Sequence, residues 1–290
     1  MKSVRTRRAL VLAVVIAALM AIGVVALAAV HLRSAADVTA SPQSRPAQTR
    51  GAHTPAATAA AHSPTPKAPA APLAGKVVGI DPGHNGRNGT DPSYLDHLIW
   101  NGRESETCDT TGTETDSGYT EAQFNFNVAL YLRADLRRAG ARVVMTRTTN
   151  DGIGPCVDRR AEILNDAHSD VAIDIHADGG PASGRGFTVL EPVADGPNDK
   201  VIGSSERFGD DVRLEMLRDT EMPVSDYYGS DGIKFRDDLA GLNLTTVPKV
   251  LIECGNMRNA VDAGILTSST FQEQLARALA AAITRFLAHS

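Results

Sequence analysis

Apolar residues along this chain fall into two kinds of pattern. The first is a set of short runs rich in Val and Ile: KVVGI (76–80), ARVVMT (141–146), VAIDI (171–175), FTVL (187–190) and KVLI (249–252). Runs of this length and composition, bounded by turn residues, predict buried strands. The second is a helical period. From Glu121 to Ala139, Phe124, Val128, Tyr131, Leu132 and Leu136 fall on one face. Arg133, Arg137 and Arg138 fall elsewhere, and Gly140 is a natural stop. Residues 157–167 and 271–287 follow the same pattern. Strands and helices alternate, which predicts an α/β fold: a single domain with a mostly parallel central sheet flanked by helices on both faces.

The N-terminal quarter has neither pattern. Lys2, Arg5, Arg7 and Arg8 precede an unbroken apolar run from Ala9 to Val30. Positive charge ahead of an apolar core is the export signature. The run exceeds a usual signal core and is long enough to span a bilayer. Ala26-Leu27-Ala28 suits a signal peptidase. Residues 1–33 therefore read either as a cleaved signal peptide or as a retained membrane anchor. Both readings put the remainder outside the cytoplasm, in the periplasm or cell wall, secreted or membrane-anchored. Residues 34–75 are rich in Ala, Pro, Ser and Thr and have no apolar period, which predicts a disordered, partly polyproline spacer. The folded domain is then 76–290, about 215 residues, a normal size for one domain.

Composition narrows the function classes. Of the 290 residues, 42% are hydrophobic and 22% charged, enough for one good core. The net charge of -5 argues against a dedicated nucleic-acid binder, whose phosphate contacts want a basic surface. Aromatics at only 4% argue against base-stacking platforms as well.

The candidate chemistry lies at strand ends. His84 stands just past the first strand in GIDPGHNG (79–86), His176 ends VAIDIH, and Glu253 ends KVLIE. In an open parallel sheet, ligands bind outside the carboxyl ends of the strands, so three strands deliver His, His and Glu to one edge. Glu121 opens the helix after the long 85–118 segment, and a helix start also reaches that rim. Two neutral imidazoles and one carboxylate make a three-ligand zinc site with a position open to water. A further carboxylate takes the water's proton. Pattern alone leaves open which Glu binds metal and which is the base, and Glu114 competes with Glu121 in the same polar stretch.

The stretches VVGIDPGHNG, TEAQFNFNVALYLRADLRRAGARVVMTR, DRRAEILNDAHSDVAIDIHAD and VPKVLIECGNMRN, in this order and spacing, resemble the zinc-dependent N-acetylmuramoyl-L-alanine amidases of the Amidase_3 type. The likeness covers nearly all of 76–287 and is greatest to actinobacterial members without separate wall-binding repeats. It implies a central sheet of about six strands with helices on both sides. It implies hydrolysis of the amide between N-acetylmuramic acid and L-alanine of the peptide stem, with Zn2+ as cofactor. It further implies that His84, Glu121 and His176 are the zinc ligands and Glu253 the catalytic base. The partners it implies are peptidoglycan or muropeptide fragments, bound by a monomer. Many relatives have Asn where this chain has Asp178, a change that bears on substrate contacts and removes no ligand. The 85–118 segment has no obvious counterpart in many relatives, so it either lines or covers the site or is a solvated surface loop.

Cys108, Cys156 and Cys254 allow three pairings. Cys254 follows Glu253 and alternates to the other side of its strand, which predicts a buried free thiol. Cys108 and Cys156 lie in loops, and an oxidising compartment permits a bridge between them. Two rival functions remain: a zinc peptidase cutting within the stem, and a non-catalytic wall-binding or activator protein on the same fold.

Overall fold

A computed structural model describes residues 71–290; the expected signal or anchor segment, 1–33, and most of the expected spacer, 34–75, lie outside the described residues. The central sheet has six strands in the order β4-β1-β5-β8-β6-β7. These are β1 (Val77–Pro82), β4 (Arg142–Met145), β5 (Val171–Asp178), β6 (Thr188–Pro192), β7 (Ile233–Arg236) and β8 (Lys249–Asn256). Pairing is parallel except between β6 and β8. The mostly parallel α/β sheet expected from the sequence is present, with the β6–β7 pair reversed.

The runs of β1, β5, β6 and β8 form because both faces of the sheet are covered there, so the apolar residues need not alternate with polar ones; the 141–146 run, expected to be buried, is instead the half-buried edge strand β4. One face carries Val78, Ile80, Ile173, Ile175, Val189, Val250 and Ile252, all fully buried in the main core. Helices α2 (Glu121–Arg138), α4 (Ile202–Asp219) and α6 (Ser269–Ala288) cover it. On α2, Phe124, Val128, Leu132 and Leu136 are buried as the period requires, and Tyr131 is half-buried. Each fully buried side chain of this kind stabilises the fold by about 1.5–3 kcal/mol. The other face is thinner. It carries Ala172, Leu190 and Leu251 against α3 (Val157–Asp166) and the short α5 (Ala240–Asn243). Asp81, Asp174 and Lys249, all buried, also lie there.

The packed unit begins earlier than Lys76. Leu73 is buried in the main core, and its N–H donates to the Ala139 carbonyl at the end of α2. The 85–118 segment is a structured wall. It holds a short helix α1 (Pro92–Leu95) and a hairpin of β2 (Leu98–Trp100) and β3 (Ser105–Thr107). Asn101 and Glu106 tie that hairpin to Asp238 and Ala240. A disulfide joins Cys108 to Cys156, and Cys254 is free and buried, as the sequence predicts.

Candidate active site

The parallel register brings the strand-end residues together. His176 on β5 sits directly opposite Glu253 on β8, and the register shifts just beyond them. The turn after β1 turns back over β5, with the Gly83 N–H donating to the Ile175 carbonyl. A Cβ at Gly83 would lie 2.1 Å from Cε1 of His176, so only glycine lets the turn and the ring approach this closely. His84 then adopts φ 56°, a left-handed conformation unusual for a side-chain-bearing residue. The imidazole rings of His84 and His176 meet edge to face, 4.9 Å apart.

Glu121 reaches them from the other layer. It is the first residue of α2, whose N-cap Thr120 accepts a hydrogen bond from the Gln123 N–H. Its buried carboxylate accepts at Oε1 from His176 Nδ1 at 2.8 Å and lies 3.3 Å from His84 Nε2. Oε2 accepts from the Thr113 N–H at 3.0 Å. One ligand atom from each of His84, Glu121 and His176 lies within 4.8 Å of the other two. Glu114 is exposed and outside this cluster, so of the two competing glutamates the fold brings Glu121 to the histidines.

This donor set fits a zinc ion. Two imidazole nitrogens and a carboxylate oxygen are a zinc donor set. The second nitrogen of His84 is already committed, at 3.0 Å from Asp109 Oδ1 and 3.2 Å from the Thr110 carbonyl. That leaves Nε2 facing the cluster. The electrostatics point the same way. Burial disfavours charge on His84, yet Glu121 and Asp109 overcome it and push its pKa up to about 10. Burial likewise disfavours charge on Glu121, but the two histidines hold its carboxyl well below the usual range. The cluster demands positive charge where its nitrogen and oxygen atoms converge.

Glu253 is in the opposite state. Burial, reinforced by the charges of Glu121 and Asp178, raises its pKa well above the ordinary carboxylate value. Among the described residues its Oε2 has no hydrogen-bond partner. A buried acceptor without a partner is costly unless something that binds there uses it. Together these residues line a cleft of about 240 Å³ whose walls also include Asp178, Leu190 and Arg236. Asp178 accepts from the Tyr227 hydroxyl at 2.7 Å, and the Arg236 guanidinium is paired with Asp238.

Several residues of the site have no signal in the strand-end pattern. Asp109 lies in the polar 85–118 segment, and its contact with His84 spans 25 residues. Arg160 is 2% exposed and binds Asp81, the Pro82 and His84 carbonyls and Asp109. A signal for it does exist: Val157, Arg160, Ala161 and Leu164 share one helical face, which puts an arginine on the apolar side of α3. Such a placement requires buried partners.

Comparison with known proteins gives a consistent result. The sequence model of the Amidase_3 family, described as N-acetylmuramoyl-L-alanine amidase, matches residues 78–285. The chain is 40% identical over 222 residues to the N-acetylmuramoyl-L-alanine amidase Rv3717 of Mycobacterium tuberculosis, a match that covers 76% of this chain and 90% of that protein. It is similar to the crystal structure of the amidase Ami1 from Mycobacterium smegmatis, with a TM-score of 0.71 and 38% identity over 75% of this chain and 99% of that one. Ami1 from Mycobacterium abscessus gives a TM-score of 0.70 and 40% identity over 74% of this chain and 100% of that one.

Proposed function

The chain belongs to the Amidase_3 family of N-acetylmuramoyl-L-alanine amidases, and on that premise we propose that a zinc ion held by His84, Glu121 and His176, with Glu253 as general base, carries its reaction. The reaction is hydrolysis of the amide between N-acetylmuramic acid and L-alanine of the peptidoglycan stem. Zinc in this position supplies a Lewis acid for the scissile carbonyl and for water. Glu253 accepts a proton from the attacking water and delivers it to the nitrogen as the C–N bond breaks. The muramic acid lactyl group leaves as a carboxylic acid and L-alanine as the new amine terminus of the free peptide. Burial suits Glu253 to this task, because a carboxylate with raised proton affinity retains the proton between the two steps. Gly83 and Thr120 set the geometry, the one by letting His176 approach the turn, the other by starting α2 at Glu121.

The observation that carries this reading is the convergence of the three ligand atoms beside a second carboxylate, that of Glu253, whose Oε2 has no partner among the described residues. The substrate is an extracytoplasmic polymer, so the enzyme acts after export, which agrees with the charged and apolar N-terminal pattern. Mass spectrometry of digested muropeptides tests the account. Free stem peptides beginning with L-alanine are expected, and their formation should stop on chelation and resume with zinc. Products cut inside the stem would mean a peptidase. Undiminished hydrolysis by protein verified to be metal-free would refute the zinc mechanism.

A further inference from the structure

We propose that Asp109 is a positioning residue for the metal centre: it fixes the His84 ring with Nε2 facing Glu121, and it is itself held by Arg160 and by the Cys108–Cys156 bridge. The proposal rests on the reading of His84 as a metal ligand.

Asp109 is almost fully buried, and both its oxygens are occupied. Oδ1 accepts from His84 Nδ1 at 3.0 Å and from the Thr110 N–H at 2.7 Å. Oδ2 accepts from Asn88 Nδ2 at 3.0 Å and from Arg160 Nη2 at 3.3 Å. The Thr110 carbonyl is a second acceptor at Nδ1 of the same ring. Of the three groups at Nδ1, the two acceptors at 3.0 and 3.2 Å are nearer than the Thr110 hydroxyl at 3.4 Å, so a neutral His84 carries its proton there. The lone pair is then on Nε2, the atom 3.3 Å from Glu121 Oε1. Fixing tautomer and ring direction in this way raises the competence of a histidine as a ligand.

The carboxylate is in turn anchored to the backbone that carries His84. One guanidinium, that of Arg160, donates to Asp81 Oδ1, to the carbonyls of Pro82, His84 and Pro155, and to Asp109 Oδ2. It therefore joins the strand-end turn, the Asp109 loop and α3. His84 has a left-handed backbone, and the Arg160 bond to its carbonyl at 2.8 Å helps to hold that conformation. The disulfide closes the frame. Cys108 is the residue before Asp109, and Cys156 caps α3 four residues before Arg160. The Val157 N–H also donates to the Cys108 carbonyl. The bridge thus keeps the donor Arg160 and the acceptor Asp109 at a set distance.

Zinc affinity, measured on the purified protein by competition with a chromophoric chelator, tests this. Asp109→Ala should weaken zinc binding by about 10- to 100-fold, the usual effect of losing such a partner. Asp109→Asn keeps an oxygen for the Nδ1 proton and should lose less. Cys108→Ala/Cys156→Ala, with Asp109 present but unbraced, should fall between wild type and Asp109→Ala. In zinc-loaded wild type, a slowly exchanging His84 Nδ1 proton should be visible by NMR, should persist in Asp109→Asn, and should be lost in Asp109→Ala. Equal zinc affinity in wild type and Asp109→Ala would overturn the proposal. If Asp109→Ala does not fold, an Asp109→Asn protein without the protected proton overturns it instead. If wild type binds zinc no better than His84→Ala, the metal reading itself fails, and Asp109 with it.

Discussion

Removal of the Cys108–Cys156 bridge should lower the stability of the folded domain by a calculable amount. The bridge closes a loop with a sequence separation of 48. In the chain-entropy model, cross-linking a loop of that length removes denatured-state freedom equivalent to about 4 kcal/mol at 25 °C. For a domain of this size each kcal/mol corresponds to roughly 2–4 °C in melting temperature, so Cys108→Ala/Cys156→Ala should melt about 8–16 °C below wild type. Both cysteines are buried, and the small voids left by alanine act in the same direction. The assay is thermal unfolding by circular dichroism with chelator present, since bound metal would add its own stabilisation. Wild type in the presence of a dithiol should reproduce the shift. Cys254→Ala should be insensitive to the dithiol in its difference from wild type, because Cys254 is unbridged. A double variant melting within 2 °C of wild type, well inside the roughly 8 °C minimum expected, would refute the reasoning.

Four further outcomes are expected. His176→Ala should lose both zinc and hydrolysis, since it removes one of three ligands; metal analysis and muropeptide digestion check this together. Lys249→Met should destabilise the domain by about 1–3 kcal/mol in urea unfolding, because it removes a fully buried partner 2.8 Å from Asp174 and 3.9 Å from Asp81, which keeps Arg160 as its other cation. Asp174→Asn should cost less, since burial, against the pull of Lys249, already pushes the Asp174 carboxyl up to about 8. Glu191→Gln should stabilise the protein at pH 8 more than at pH 5. Burial, with Asp210 and Glu206 nearby, pushes the pKa of Glu191 up to about 8, so the folded state holds a proton that the unfolded state releases near 4.5. Stability therefore falls as pH rises between those values and levels off above the upper one, and glutamine removes that loss. Denaturant midpoints at both pH values that shift equally would contradict it.

The parts legible in the sequence are those whose burial forces a pattern. Strands β1, β5, β6 and β8 are covered on both faces or nearly so and read as apolar runs, while β4, at the sheet edge and only half-buried, reads as one through Val143, Val144 and Met145. Strand β7, IKFR at the sheet edge with Phe235 exposed, has no such run and was not expected. Helix α4 was also not expected, because Gly203 and Gly209 weaken its helical signal and no side chain caps its start. Gly209 is there for contact: a Cβ would lie 2.1 Å from Oε1 of Glu191. In the site, His84, His176 and Glu253 were legible because a parallel sheet sends its strand ends to one rim. Asp109, by contrast, meets His84 and Arg160 through contacts spanning 25 and 51 residues, and nothing local marks it.

The central claim is the division of labour between the two carboxylates, and zinc content measured beside hydrolysis rate on two variants tests it most directly. Glu253→Gln keeps the shape of the side chain but cannot take up the water's proton. It should retain zinc near the wild-type level, because His84, Glu121 and His176 are intact, while turnover falls by roughly 100- to 10,000-fold. Glu121→Gln should lose zinc first, with activity falling in proportion to occupancy. The opposite result, a zinc-free Glu253→Gln protein beside a zinc-loaded Glu121→Gln protein, would contradict the account, as would full activity in Glu253→Gln.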